Sequence, residues 1–389
     1  MTTTAQRLER LGIPLTEEQR MVSDSARELA SRRIAPGAAE RDRTMKFPLE
    51  EIGELASLGL LTMKVPIAEG GAGADNVGYV LAMEAIAEAC ASTAVVLASS
   101  NLSSKILSEH ASPEQKERWL RPYAEGKLGP ASFALSEPGC GSDAAALTTT
   151  ARRDGDSFVL DGSKMWITAG AHAGIHVVFV RTDPSNRGPE GISCLVVERG
   201  TPGLVVGKEE EKMGQRASGT VGLHFEECRV PAENLIGPLG GGYAIALSAL
   251  GAGRVGIAGL CLGLAEAAFS AGVEYARERR AFGKALTEFQ NTRFVLADSR
   301  TDLDAAWLLT LRAARLLDAG DRAPVETSMA KLFASEACAR VVDRMVQVHG
   351  GYGYSRDYAV ERIYRDARVT RIYEGTSEVQ RLVISKHLV

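Results

Sequence analysis

An excess of charge of one sign is what this sequence most plainly lacks. Its 45 lysines and arginines stand against 49 aspartates and glutamates, a formal net charge of −4 over 389 residues. No strong field is available to hold nucleic acid or to draw the chain onto an anionic membrane. The arginines at 362, 365, 368 and 371 recur at helical spacing, but Glu361, Asp366 and Glu374 interleave with them. That pattern reads as a salt-bridged helix face or subunit contact, not a phosphate-binding stripe. Cysteine is sparse and scattered, at 90, 140, 194, 228, 261 and 338, with no C-x-x-C pair and no histidine at zinc spacing. No metal site is expected, and buried free thiols in a reduced, cytoplasmic compartment fit best. The opening stretch 1–7 lacks the apolar core of a secretory signal and is too short to resemble a transit peptide. Residues 239–265 are nearly all apolar or small, yet Arg254 interrupts them and glycine is frequent. A helix buried within a bundle is the expectation there, with no membrane insertion.

What is present is length enough for two or three domains, each with its own core. To about residue 125 the pattern is helical: Thr16-x-x-Gln19 opens one helix, Pro48 another, and Ser112-Pro113 a third. From about 129 to 231 it changes to β-branched, apolar runs at 176–181, 192–198 and 221–225. Residues 157–160 and 164–168 flank Asp161-Gly162-Ser163, which predicts a hairpin turn. Beyond Pro231 and Pro238 long helices return, near 241–278, 287–319, 325–348 and 358–369, and short links suggest an up-and-down bundle. The chain is therefore read as an α+β multidomain protein: an N-terminal helical domain (1–126), a middle antiparallel β domain (127–234) and a C-terminal four-helix bundle (235–389). Gly251-Ala252-Gly253-Arg254-Val255-Gly256 satisfies G-x-G-x-x-G, but helical pattern continues on both sides and no strand follows. A nicotinamide-binding βαβ unit is excluded.

The most informative segment is Arg371-Ile372-Tyr373-Glu374-Gly375-Thr376-Ser377-Glu378-Val379-Gln380-Arg381. Ser377 and Gln380 read as a capping box, with Val379, Leu382 and Val383 as the apolar stripe of the helix behind it. Glu374 then sits on the loop entering that helix, where a rigid element can hold a general base. Burial against Tyr373 and a bound substrate raises its pKa and the helix N-terminus lowers it; desolvation by that substrate is expected to win.

Three further segments accompany it: Phe133-Ala134-Leu135-Ser136-Glu137-Pro138-Gly139-Cys140-Gly141-Ser142-Asp143, Lys164-Met165-Trp166-Ile167-Thr168, and Gln347-Val348-His349-Gly350-Gly351-Tyr352-Gly353-Tyr354. Together, in order and from about residue 15 to the end, they resemble the acyl-CoA dehydrogenase family. The resemblance implies FAD as cofactor, and removal of a proton and a hydride from adjacent carbons of an acyl thioester to give the enoyl-CoA. It assigns the base to Glu374. Some relatives supply the base from the residue before Arg254, but here that residue is Gly253. The Glu374 N–H and a ribityl hydroxyl of the cofactor are expected to receive the developing enolate oxygen.

The resemblance also distributes the cofactor. Phe133, Leu135, Ser136, Gly141 and Ser142 would meet the flavin ring, with Trp166, Ile167 and Thr168 packing on it and hydrogen-bonding near its reactive nitrogen. Arg279, Phe282 and Gln290 would hold the pyrophosphate and ribose. Gln347, Val348, Gly350 and Gly351 would reach a flavin from a neighbouring subunit, and Thr376, Ser377 and Glu378 its adenosine end. Ser142, Gly251, Arg254, Tyr373 and Gly375 match substrate positions, although the family frequently has Asp where Gly251 stands. Cys140 stands where relatives carry a small apolar residue and is read as a tolerated substitution. His349 and the run Asp357-Tyr358-Ala359-Val360 are similar to short-chain and branched short-chain members. Implied partners are an acyl-CoA, an electron-transfer flavoprotein and three further copies of the chain in a dimer of dimers. An oxidase passing electrons to oxygen, or a noncatalytic acyl-CoA-binding homologue, remain alternatives.

Overall fold

The computed structural model describes residues 4–388; the first three residues of the opening stretch, part of the targeting argument, lie outside them. The N-terminal part is helical: α1 (Thr4–Arg10), α2 (Glu17–Leu29), α3 (Ala38–Thr44), α4 (Leu49–Ser57), α5 (Asn76–Ala89), α6 (Ala91–His110), α7 (Pro113–Gln115) and α8 (Arg121–Ala124). Two starts follow the sequence signals. Thr16 caps α2 in a reciprocal pair with Gln19, and Ser112 does the same for α7 with Gln115, Pro113 taking the first helical position. α5 and α6 are buried on nearly every face, which is why neither shows a clean amphipathic stripe.

The middle part is β1 (Ala131–Ala134), β2 (Thr150–Asp154), β3 (Ser157–Ile167), β4 (Ile175–Arg181), β5 (Ile192–Glu198), β6 (Leu204–Val206), β7 (Val221–Pro231) and β8 (Leu235–Ile236). The sheet runs β6-β7-β3-β2-β4-β5-β8, with β1 added on β4. Most pairings are antiparallel, but β1 and β2 both pair β4 in parallel. The hairpin expected at Asp161-Gly162-Ser163 is absent. β3 runs straight through it, and the turn lies earlier, at Gly155-Asp156, where Asp154 pairs Ser157. Gly162 (φ 137°) instead marks an irregularity in the pairing of β3 with β7. A Cβ there would meet the Thr149 Cα at 2.7 Å, so the glycine serves close approach within a bulge.

The C-terminal part is α9 (Gly242–Glu278), a two-strand ribbon of β9 (Arg280–Ala281) and β10 (Lys284–Ala285), then α10 (Gln290–Asp318), α11 (Pro324–His349), α12 (Ala359–Arg368) and α13 (Ser377–Lys386). The fourth predicted helix, α12, has only ten residues, so three long helices dominate the bundle. The G-x-G-x-x-G run lies inside α9. α9 is long and apolar enough to cross a membrane, but 67% of its apolar window is buried where it packs on α5, α6, α10 and α11. The three parts are sewn together at α12. Arg365 donates to Glu361 (2.6 Å), to Asp42 (2.7 Å) and to the Met213 carbonyl (3.0 Å), while Arg216 donates to the Asp42 carbonyl (2.9 Å). Arg371 pairs with Glu336 at 3.3 Å, so these two members of the arginine series are salt-bridged.

Candidate active site

A short 3-10 turn (Val369–Arg371) follows α12, and the chain then enters α13 through two consecutive left-handed residues, Glu374 (φ 55°) and Gly375 (φ 87°). A non-glycine residue there carries strain, so the surroundings must hold it. They do so through two buried side chains. Gln380 Nε2 donates to the Glu374 carbonyl (3.2 Å) and the Gly375 carbonyl (3.0 Å), and Lys331 Nζ from α11 donates to the Gly375 carbonyl at 2.7 Å. The expected capping box is displaced by one residue. Thr376 is the N-cap, accepting from the Val379 N–H at 3.2 Å, while Ser377 is buried and donates to Glu336 (2.7 Å). Leu382, expected in a buried stripe, is 67% exposed.

The Glu374 carboxylate points into the space between this loop, α6 and α9. Its Oε2 is buried and has no hydrogen-bond partner. A Cβ on Gly253 would lie 3.0 Å from that oxygen and 3.2 Å from Leu102 Cδ1. Burial pushes the Glu374 carboxyl up to about 7, against the opposing pull of Lys331, Arg254 and Lys64. Burial within the protein alone thus outweighs these three cations, before any substrate adds to it. Arg254 donates to Ser328 Oγ at 3.0 Å but leaves a buried Nε unpaired. Burial brings Lys331 down to about 8, partly offset by Cys261 and Glu374. Tyr373 accepts from Gln215 Nε2 at 3.2 Å. Gly251 is open, with no atom within 4 Å of a would-be Cβ. Glu374 and Arg254 are thus brought together, with Tyr373 and Gly375 flanking the carboxylate.

The segments 133–142 and 164–168 are joined directly, Met165 N–H donating to the Ser136 carbonyl at 2.9 Å. Beneath them lies a buried ion pair, Lys164 to Glu137 at 2.7 Å, and Lys164 also donates to the Leu135 carbonyl at 3.2 Å. Burial alone would raise Glu137, but Lys164 and donors at Thr148 and Thr149 take it down to about 2. Trp166 stands above this base, left-handed (φ 63°) at an irregularity of β3 and 58% exposed. Phe133 and Ser136 are half-buried, while Gly141 and Ser142 are exposed. Leu135 and Ile167 are buried in the core, so only their backbones are available to a ligand. Thr168 is half-buried. Cys140 is buried and its thiol is pushed up by that burial, in keeping with an inert position.

A second surface forms at the far end of the bundle. Arg279, Val348, Gly350, Gly351 and Tyr352 line one cleft of about 800 Å3. The Arg279 guanidinium lies 5.5 Å from the Tyr352 ring centre, and Phe282, left-handed on the ribbon, is 95% exposed. Gln290 and Gln347 are exposed, as is Glu378, whereas the hydroxyls of Thr376 and Ser377 are committed within the chain. Neither Gly350 nor Gly351 has an atom within 4 Å of a would-be Cβ. An exposed indole over a rigid strand base, bare glycine backbone and an arginine in a cleft suit a flavin dinucleotide.

Residues 16–127 match the acyl-CoA dehydrogenase N-terminal domain, 132–228 the middle domain and 240–389 the C-terminal domain. The chain belongs to the acyl-CoA dehydrogenase family. The mouse mitochondrial short-chain specific acyl-CoA dehydrogenase is 47% identical over 97% of this chain and 91% of its own. The solved butyryl-CoA dehydrogenase of Megasphaera elsdenii is 40% identical with a TM-score of 0.94, covering 97% of this chain and 99% of that one. A chain in a structure described for the electron transferring flavoprotein of Acidaminococcus fermentans is 41% identical, TM-score 0.93, covering 96% and 98%. The protein is accordingly a flavoprotein oxidoreductase of the acyl-CoA dehydrogenase type.

Three residues of this acyl-CoA dehydrogenase site were not visible from motifs: Lys331, Gln380 as a loop clamp, and Lys64. Lys331 sits in an otherwise small and apolar run of α11, Met329-Ala330-Lys331-Leu332-Phe333. A lone buried lysine in such a run was a signal that could have been weighed.

Proposed function

We propose that the protein catalyses FAD-dependent α,β-dehydrogenation of short-chain, including methyl-branched, acyl-CoA thioesters, passing electrons to an electron-transfer flavoprotein. The observation that carries this reading is the Glu374 carboxyl. Its Oε2 is buried and unpartnered on a clamped loop, and its pKa is raised to about 7. A base poised near the working pH can both accept and release a proton. In this reading Glu374 takes the α-proton of the thioester. No acceptor engages the Glu374 N–H among the described residues, which leaves it free to face the thioester carbonyl oxygen. Arg254 and Lys331 hold positive charge beside the carboxylate as it works. Trp166 and Thr168 with the 133–142 segment would bind the isoalloxazine, and Arg279 with the 347–351 backbone would bind the dinucleotide of a neighbouring subunit. The flavin, when bound, supplies the hydride acceptor that no side chain can provide.

The named relatives support the short-chain reading, as does the M. elsdenii butyryl-CoA dehydrogenase fold. The A. fermentans likeness supports a flavoprotein electron partner. Six buried free cysteines support a reducing, cytoplasmic setting. Exposed Phe282, Tyr354 and Leu382 support assembly as a dimer of dimers.

Anaerobic bleaching with a panel of acyl-CoAs tests the reading. Butyryl-, isobutyryl- or 2-methylbutyryl-CoA is expected to exceed octanoyl-CoA in kcat/KM, because each methylene a pocket rejects costs about 1–3 kcal/mol. Octanoyl-CoA equal to or above butyryl-CoA overturns the chain-length assignment. Glu374→Gln is expected to keep flavin and bind acyl-CoA, yet to reduce flavin about a thousandfold more slowly. Reduction within tenfold of the parent would reveal another base.

A further inference from the structure

Of the three cations facing Glu374, two have hydrogen-bond partners inside the protein and one does not. Lys331 donates to the Gly375 carbonyl and Arg254 to Ser328. Lys64 makes no hydrogen bond or ion pair among the described residues; its Nζ lies 4.6 Å from the centre of the Tyr79 ring. Of the three acids whose charge it feels, Glu109 pairs with Lys105, Asp318 accepts from Asn76 and Val77 at the start of α5, and Glu374 forms no ion pair with it. A lysine kept over an aromatic face with no direct ion-pair partner is an incomplete arrangement, because desolvating an unpaired cation is costly.

Its position is fixed from behind. Met63 N–H donates to Asn101 Oδ1 (2.9 Å), Asn101 Nδ2 to the Leu60 carbonyl (2.8 Å) and Ser104 Oγ to the Leu61 carbonyl (3.2 Å). The segment carrying Lys64 is thereby bolted to α6. Tyr79 in turn abuts α9: a Cβ on Gly256 would meet its hydroxyl at 2.5 Å, while one on Gly253 would meet Glu374 Oε2 at 3.0 Å. Those two glycines are three residues apart, about 4.5 Å along a helix. Tyr79 thus meets α9 about one helical turn from where Glu374 does, with Lys64 over its ring.

Resting on the proposed acyl-CoA dehydrogenation, we infer that Lys64 is a specificity residue that receives a carboxylate at the far end of a short acyl chain. The preferred substrate class is then the mono-CoA thioester of a four- or five-carbon dicarboxylic acid. Burial brings the Lys64 ammonium down to about 7; Lys105 lowers it further, and Glu109, Glu374 and Asp318 oppose. An incoming carboxylate would restore the charge, so the preference should weaken as pH rises past that point.

The experiment compares flavin reduction by glutaryl-CoA and by pentanoyl-CoA, which have equal chain length and differ in terminal charge. It uses the flavin-loaded wild type, Lys64→Met and Lys64→Arg, from pH 6 to 8.5. Because both substrates use Glu374, its own titration cancels in the ratio of their kcat/KM values. The expected result is a glutaryl-to-pentanoyl ratio at least tenfold lower in Lys64→Met, partly restored in Lys64→Arg. In wild type the ratio should fall with rising pH, and in Lys64→Met it should be flat. A ratio within twofold of wild type in Lys64→Met overturns the inference while leaving the dehydrogenase reading intact. Failure of both thioesters to bleach the flavin would sink the dehydrogenase reading, and this one with it.

Discussion

Glu374 is held between two demands, and the residue that reconciles them is Lys331. Its ammonium fixes the strained loop by donating to the Gly375 carbonyl (2.7 Å) and also pulls the Glu374 carboxyl down against burial. Replacing Lys331 by Met therefore has two separable consequences. The Gly375 carbonyl loses a donor inside the protein, which costs about 1–3 kcal/mol of stability and would be read in thermal or urea unfolding. The carboxyl also loses a neighbouring cation, which favours its neutral form. In the wild type kcat/KM is expected to rise with pH through about 7, since the base must be deprotonated and kcat/KM reports the free enzyme. In Lys331→Met that midpoint should move upward, by roughly one pH unit. A midpoint that stayed in place, or moved down, would show that Lys331 acts on the loop alone. The sequence could name Glu374 because its motif is local. Lys331 is 43 positions away and joins the site only through the packing of α11 on α13.

At the scale of elements, periodicity was informative and turn chemistry was not always so. The long helices from 242 onward follow the sequence reading to within a few residues, because 3.6-residue patterning persists over many turns. The Asp-Gly pair at 161–162 misled, because the same dipeptide serves a bulge as readily as a hairpin, and the pairing of β3 with β7 chose the bulge. The cap of α13 shifted from Ser377 to Thr376 because the buried Ser377 hydroxyl is taken by Glu336. That α9 is a continuous helix past Gly253 has a chemical consequence. Gly253 faces the spot Glu374 occupies: its would-be Cβ lies 3.0 Å from Oε2, close to the span from Cβ to carboxyl oxygen within a glutamate. A carboxylate could thus reach that spot from either element. The double variant Glu374→Gly with Gly253→Glu is expected to recover at least tenfold of the flavin-reduction rate lost in Glu374→Gly alone. The helix should tolerate the change, glutamate being the better helix former by about 1 kcal/mol. No recovery in a folded, flavin-loaded double variant would mean that the α9 position cannot present a base in this chain.

For the whole molecule, the candidate cofactor residues fall into two groups on different surfaces. One comprises Trp166, Thr168 and the 133–142 segment on the sheet. The other comprises Arg279, Phe282 and the 347–351 turn at the end of the bundle. Sequence motifs revealed both groups but not their separation, which depends on how the sheet and helices pack. The second group looks unfinished within one chain. Phe282 is 95% exposed in a left-handed turn, its ring meeting Phe289 edge-on at 6.4 Å. A large aromatic displayed in that way gains most by covering something on another surface. In the proposed dimer of dimers it would cover a neighbour's flavin, so cofactor retention and assembly should be coupled. Sedimentation of the purified protein at micromolar concentration should give a tetramer carrying one flavin per chain. Phe282→Asp should lose at least half its flavin and shift toward smaller species, with unchanged helical circular dichroism, since no core contact is removed. Adding excess FAD should drive reassembly of that variant by mass action. A monomer fully loaded with flavin, in either protein, would mean that each chain completes its own cofactor site and that the second cleft serves another purpose.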